Sequence, residues 1–535
     1  MTKKCCVLIL AATVVALVLR LPRLQQRPMH GDEAVHADKF RLLLEEGFYE
    51  YDPEEYHGPT LNYLTLIPAW LAGAEKLTQV TEFTLRIVPV FFGVCLVLLL
   101  LPMAGGLGRG VVVYAAVLTA ISPAMVFYSR YYVQEMLLVC FTFGAIVSGY
   151  RYARSKKVIW ALLTGMCLGF MHATKETCII AFGAMFMALV SILWMQRRKG
   201  SIVHAVKPTH FVGGLLVGFV VSALFYSSFL SHPAGILDSI RTYTTYFDRA
   251  GQSPLHVHPW SYYLEMLVYF RYGNGPFWTE ALIVLLAVVG FIAAMTKKGV
   301  SFANVPLIRF IAFYTLILTV VYSSIPYKTP WCMLGFLHGM ILLAGVGAVV
   351  LVNLAPNVLP RLIVMALLFE ASVHLTWQAY LSSYPYDADS RNPYVYAHPT
   401  TEIFTVVRKI EEYASVHEDG KDMPIDVICP EDDYWPLPWY LRSFSKISWS
   451  NHVIRDADSA PLIVASPDVE GALTEKLYKR TPVGKRQMYL YLFDQPYYVW
   501  LRPGIKLVGF VRRDLWDHFQ RQSTEEVQTR TEGEK

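Results

Sequence analysis

Runs of about 20 apolar residues, separated by short polar turns, fill most of the first 380 positions. A bilayer core about 30 Å thick takes a helix of about 20 residues, so each run is read as a membrane span. Spans are expected at roughly 5–20, 83–104, 110–128, 132–150, 158–172, 177–195, 211–230, 279–296, 306–325, 331–353 and 361–380. The stretch Gly58 to Gly73 is also apolar but contains Pro59 and Pro68. If it crossed, every later loop would change sides, so it is expected to lie in or dip into the membrane interface. The apolar run behind Lys3 and Lys4 has no clean small-x-small cleavage site after it and is read as a retained first span.

After Tyr380 the pattern changes. Residues 400–417 suit an amphipathic helix, Ile425 to Cys429 and Leu462 to Ala465 short buried strands, Val469 to Lys479 a helix, and Gln487 to Phe493 an alternating strand. This is the signature of a small α/β domain. The expected organisation is a membrane module over 1–380, an α/β domain over 381–523, and a polar, disordered tail over 524–535.

Charge orients the bundle. Arg151, Arg154, Lys156 and Lys157 fill one connection and Arg197, Arg198, Lys199 and Lys207 another, neither with an acid, while Lys297, Lys298, Arg309, Arg109 and Arg361 mark others. All fall on the side of the N-terminus, which is therefore expected to be cytoplasmic in an inner membrane. Arg20, Arg23 and Arg27 go against this rule. The other face then receives a first loop 21–82, a loop 231–278, and the whole α/β domain. Composition agrees with a polytopic membrane protein: of 535 residues, 54% are hydrophobic and only 17% charged, against about 25% in soluble domains. The basic residues sit in short loops, so no nucleic-acid partner is expected. Of eight cysteines only Cys429 lies in the polar region, which excludes a disulfide framework.

Ionisable groups are expensive inside a bilayer, about 2.5–3.5 kcal/mol each at its centre, yet several gather at the outer ends of the spans. Asp32 and His36 are four residues apart, so a helix starting near Gly31 places both on one face. Together with His57, this carboxylate–imidazole set can work as a general base or bind a divalent metal through Asp32, His36 and His57. Alternatively Asp32 caps the helix. Arg130 and Glu135, then Lys175 and Glu176, then Tyr327 and Lys328, stand at other outer span ends. Either Arg130 and Glu135 pair structurally, or Arg130, Lys175, Lys328 and Arg271 form a basic pocket with Asp32 and Glu33 at its rim. Such a pocket suits a lipid with its tail in the bilayer and a phosphate at the interface.

His30-Gly31-Asp32-Glu33-Ala34 and Tyr56-His57-Gly58-Pro59-Thr60-Leu61 resemble the first outer loop of the GT-C glycosyltransferases, the dolichyl-phosphate-mannose protein mannosyltransferases and aminoarabinose lipid A transferases among them. Ser129-Arg130-Tyr131 with Glu135, Ala173-Thr174-Lys175-Glu176, Pro326 to Trp331 and Tyr434 to Tyr440 are similar to the flippase-activity-associated proteins of bacterial and archaeal N-glycosylation loci. The resemblance covers nearly the whole chain. It implies a GT-C membrane fold and transfer of a sugar from a polyprenyl-phosphate donor to a protein or glycolipid acceptor at the extracytoplasmic face. It also implies Asp32 as general base or metal contact, with Glu33 as its partner. The lipid A transferases carry Glu-Lys-Pro where this chain has His57-Gly58-Pro59, which removes a carboxylate and a lysine from the loop. The alternative is a non-catalytic flippase or flippase accessory for lipid-linked sugars, which needs a polar path to the cytoplasmic half. An ion-coupled transporter would need midplane charges and paired repeats, and neither is present in the sequence.

Overall fold

The computed structural model describes residues 2–54, 57–196, 206–250, 256–455, 458–480, 484 and 486–533. Arg197, Arg198 and Lys199 lie outside them, as does Tyr56. The membrane module is built from α1 (Lys3–Arg20), α2 (Gly31–Glu46), α3 (Thr60–Leu71), α4 (Glu82–Leu98), α5 (Arg109–Ile121), α6 (Pro123–Ser129), α7 (Glu135–Ser155), α8 (Val158–His172), α9 (Cys178–Gln196), α10 (Pro208–Tyr226), α11 (Gly235–Ala250), α12 (Ala281–Thr296), α13 (Val305–Ser324), α14 (Leu334–Leu354) and α15 (Val358–Ser383).

Every expected span falls on a helix. Among the described residues seven helical segments are long and apolar enough to cross a membrane, or eight if α5 and α6 form one bent span. The other three expected spans are α1, which carries charges at both ends, and α8 and α12, which are shorter at 15 and 16 residues. The expected continuous span at 110–128 is broken, with α5 and α6 meeting at 58°. Pro123 has no N–H and disfavours helix at the residue before it. Ser122 caps α6 instead, accepting from Met125 N–H at 3.4 Å. Glu280, at the head of α12, fills the break by accepting from Ser122 Oγ at 2.5 Å and Ala124 N–H at 3.0 Å.

Small residues let the helices approach. Gly165 and Gly169 of α8 face Gly214 and Gly218 of α10, each pair spaced GxxxG. A Cβ on Gly165 would stand 1.8 Å from the Gly214 carbonyl oxygen. This close backbone contact replaces the hydrophobic drive that lipid does not supply. Segment 58–73 forms α3, which at 12 residues is too short to cross a bilayer and leaves Ile67, Trp70 and Leu71 exposed.

The basic connections share one end of the bundle. Tyr152 Oη accepts from Lys207 N–H at 3.1 Å, Asn304 N–H donates to Gly106 O at 2.7 Å, and Arg309 binds the carbonyls of Ala294 and Met295. Arg20 and Arg27, the exceptions to the charge rule, lie at the other end and are buried. Arg20 donates to the carbonyls of Thr119 and Ala120 and to Ser129 Oγ. Arg27 donates to Glu33. Both are internal ties between segments, so they say nothing about which side the loop is on.

The C-terminal domain opens with α16 (Ile403–Val416), followed by β1 (Ile425–Ile428), β2 (Ile447–Ser450), β3 (Leu462–Ala465), β4 (Tyr489–Tyr491), β5 (Tyr498–Arg502), β6 (Ile505–Arg512) and α17 (Arg513–Gly533). The sheet order is β2-β1-β3-β6-β4, with β5 also on β6. The first three strands are parallel and β6 is antiparallel to its neighbours. The tail expected to be disordered from 524 instead continues α17 as far as Gly533. Its Glu, Gln and Arg content favours helix.

Candidate functional site

α2 starts at Gly31 because His30 and Glu33 cap it. His30 Nδ1 accepts from Asp32 N–H at 3.1 Å, and the Glu33 carboxylate reaches back to His30 N–H at 3.0 Å. The cap is therefore His30, and Asp32 has no capping duty. Its side chain is 50% exposed and opens on the hollow between His30, His36, His57 and Lys175, which act on it. Burial disfavours its charge, but His30, His36, His57 and Lys175 outweigh that and hold the carboxyl below the usual range.

Glu33 departs from its expected partnership in chemistry. It is fully buried and turned the other way. It accepts from Arg27 Nη2 at 3.0 Å, from Arg86 Nε and Nη2 at 2.8 Å, and from Tyr132 N–H at 2.9 Å. Burial alone would raise its pKa, yet Arg27 and Arg86 hold it at about 2. Glu33 fixes α2 to the loop before it and to the segment after α6.

His57 lies across the cavity. Its Nδ1 meets Glu176 Oε2 at 2.8 Å, and Glu176 also accepts from Tyr51 Oη at 3.3 Å. Gly58 makes this possible: a Cβ there would come within 2.3 Å of Ala173 O. Only a residue without a side chain lets the first loop press on the turn between α8 and α9. That turn delivers Lys175 and Glu176, so a lysine and a glutamate do stand beside His57, supplied from another segment. Lys175 pairs with Glu135 and is electrostatically coupled to Asp32.

The expected basic pocket does not assemble. Arg130 pairs not with Glu135 but with the carbonyls of Arg20, Pro22 and Arg23, and lies over the Tyr384 ring. Lys328 binds the carbonyls of His258 and Ile325. Arg271 is exposed and donates to Gly275 O at 3.3 Å. Arg130 and Lys328 each bind carbonyls at the end of a helix, Arg20 of α1 and Ile325 after α13, a demand invisible in the spacing. Lys175 alone of the four acts on Asp32. Tyr327 is 46% exposed, with its ring 5.3 Å from that of His256, which Asp32 also influences.

The expected metal set does not fit. Among the described residues no three His, Cys, Asp or Glu side chains are arranged to hold an ion. His57 Nδ1 is taken by Glu176, and His36 Nδ1 faces Gln134 Nε2 at 3.4 Å. Burial and His57 push His36 down to about 3, so it is neutral.

Sequence reasoning passed over His30, Tyr51, Tyr396 and His398. His30 packs edge-on or tilted against Tyr131, Trp331 and His398, and its Nε2 lies 3.0 Å from Tyr396 O. Only its place in the quoted His30-Gly31-Asp32 string hinted at this. The C-terminal domain roofs the same cavity. Trp435 packs against Gly31, Tyr440 Oη accepts from Met29 N–H at 2.8 Å, and Trp439 Nε1 donates to Glu82 at 2.8 Å.

Below the site, an apolar groove of about 1080 Å³ runs between α7, α8, α9, α10, α11 and α13. One end is lined by Tyr152, Lys156 and Asn304, the other by His172 and Tyr226. Tyr226 packs on Tyr51, the Glu176 partner, with ring centroids 4.7 Å apart. The groove thus runs from the basic end of the bundle to Tyr226, beside the Tyr51–Glu176 pair.

Residues 55–233 match the family described as dolichyl-phosphate-mannose-protein mannosyltransferase. The apo crystal structure of ArnT from Cupriavidus metallidurans superposes with a TM-score of 0.62 at 14% identity, covering 94% of this chain and 97% of that one. The chain has the GT-C fold. ArnT bound to undecaprenyl phosphate gives 0.59 at 15% identity, over 95% and 98% of the two chains. AglB from Archaeoglobus fulgidus, in complex with an inhibitory peptide and a dolichol-phosphate, gives 0.53 at 12%, over 94% and 74%. No curated protein sequence matches the chain. The GT-C fold accounts for the arrangement found here, helices carrying outer loops that converge under a C-terminal domain.

Proposed function

We propose that this protein is an inverting membrane glycosyltransferase that moves a sugar from a polyprenyl-phosphate donor to a hydroxyl of a protein or glycolipid acceptor. The observation that carries this is a half-exposed carboxylate, Asp32, under the influence of Lys175, whose neighbour Glu176 reaches through Tyr51 to Tyr226 at the end of a long apolar groove. The groove takes the isoprenoid tail, Lys175 faces the donor phosphate, and Asp32 binds and polarises the acceptor hydroxyl. The match to the mannosyltransferase family and the lipid-phosphate complexes of ArnT and AglB support the reading. A flippase would need a polar path, whereas the groove through the bundle is lined by residues such as Leu168, Phe186, Leu215 and Phe219.

The basic end of the bundle belongs in the cytoplasm by the positive-inside rule, which sets the cavity and the C-terminal domain on the extracytoplasmic face of an inner membrane. A single cysteine replacing exposed Glu54 should then react with an impermeant maleimide on intact sphaeroplasts; labelling only after lysis would refute this orientation. For activity, membranes holding the protein are supplied with undecaprenyl phosphate-linked mannose, glucose and aminoarabinose, and released undecaprenyl phosphate is followed by mass spectrometry. Asp32→Asn should lower release at least about 100-fold. Full activity in that variant would sink the mechanism.

A further inference from the structure

Four histidines surround Asp32, and their surroundings separate them. His30 has its Nδ1 on the Asp32 backbone N–H and its Nε2 against Tyr396 O. His256 has its Nδ1 on Tyr396 Oη. His36 is buried, and its environment keeps it neutral. Of the four, His57 has a carboxylate hydrogen-bonded to a ring nitrogen, Glu176 at 2.8 Å, whereas the nearest carboxylate to His30 Nδ1 is Asp32 at 3.8 Å. Glu176 is itself buried and fixed by Tyr51 Oη, while the His57 side chain stays 26% exposed to the cavity. A ring with one nitrogen on a buried carboxylate is held in one orientation, and the charge of its protonated form is balanced.

We infer that His57, oriented by Glu176, takes the proton of the acceptor hydroxyl while Asp32 positions that hydroxyl. This deepens the transferase reading and rests on it. The acceptor O–H bond breaks and its proton moves to His57 Nε2. The oxygen's electron pair forms the new bond to the anomeric carbon with inversion. The bond from that carbon to the phosphate oxygen breaks, and its pair leaves with the polyprenyl phosphate. The imidazolium, paired with Glu176, then returns its proton to water. Asp32, whose carboxyl is held below the usual range with the Lys175 ammonium nearby, is a poor final resting place for that proton. The groups facing His57 are Asp32 and His36 from α2, Tyr49 and Tyr51 from the following loop, and Lys175 and Glu176 from the α8–α9 turn.

The test is the pH dependence of undecaprenyl phosphate release by membranes given the same three undecaprenyl phosphate-linked sugars, from pH 5 to 9. The full-length protein should lose kcat/KM toward low pH as His57 protonates. His57→Gln should cut kcat by about 100-fold or more, leave the donor KM nearly unchanged, and abolish the acid limb. Glu176→Gln should shift the limb to lower pH, because the lost carboxylate no longer favours the imidazolium. A His57→Gln enzyme that keeps the acid limb, or a Glu176→Gln enzyme that leaves it in place, overturns the proposal. Wild-type membranes that release nothing from any donor would tell against the transferase reading itself.

Discussion

Asp32 and Glu33 are neighbours with opposite duties, and conservative amide substitutions should separate them. Glu33→Gln removes the only carboxylate, among the described residues, bonded to Arg27 and Arg86, which are 5% and 1% exposed. Breaking a buried ion pair by removing one partner costs about 3–5 kcal/mol. At 1.4 kcal/mol per decade that is roughly a 100- to 4000-fold loss in the folding equilibrium. Asp32→Asn alters a half-exposed group, for which about 0.5 kcal/mol is the ordinary scale. Pulse proteolysis of the solubilised protein across a urea series reads both. The expected result is a large drop in midpoint for Glu33→Gln and almost none for Asp32→Asn, with transfer activity lost in the second. Acid adds a further check. The folded Glu33 value of about 2 lies below its unfolded one, near 4.3. Its stabilisation is therefore full above about pH 4.3 and disappears as the pH falls toward 2. Glu33→Gln should lack this component. Equal midpoints for the two variants, or an unaltered Glu33→Gln protein, would refute the assignment of Glu33 to the frame and Asp32 to the chemistry.

Gly58→Ala should force the first loop off the α8–α9 turn, costing about 1–3 kcal/mol and lowering transfer more than stability; an alanine variant of wild-type activity would show that the close approach to Ala173 is dispensable. Gly165→Leu should separate α8 from α10 and lower the thermal midpoint in detergent, whereas the same change at Gly183, which has open space around its Cα, should not. Loss of stability at both positions alike would remove the α8–α10 contact from the explanation.

The helices were legible because apolar runs of the right length have few other fates, and β1 and β3 because they are mostly buried on both faces. β2, a partly exposed strand, was missed, as were β5 and β6 although Pro503-Gly504 sits between two apolar segments, a hairpin signal. The long strand β6 hides among charges because Lys506 lies over the rings of Tyr498 and Trp500. Asp32 and His36 were legible from spacing within one helix. The fates of Arg130 and Lys328 were not, because each is consumed by carbonyls that open only where a helix breaks, and the break is a property of the fold. The pairing of His57 with Glu176 joins residues 119 positions apart and depends on a missing side chain at Gly58, which no local pattern reveals.

The bond from Met29 N–H to Tyr440 Oη joins positions 411 apart. At roughly 5–20 residues per second, a ribosome needs about 20–80 s to make the intervening chain. During that time the first loop is without its cover. The site around Asp32 is covered only when the C-terminal domain folds down on it, so a half-made molecule holds the carboxylate but not the arrangement around it. Competence arrives late in synthesis, as a single event.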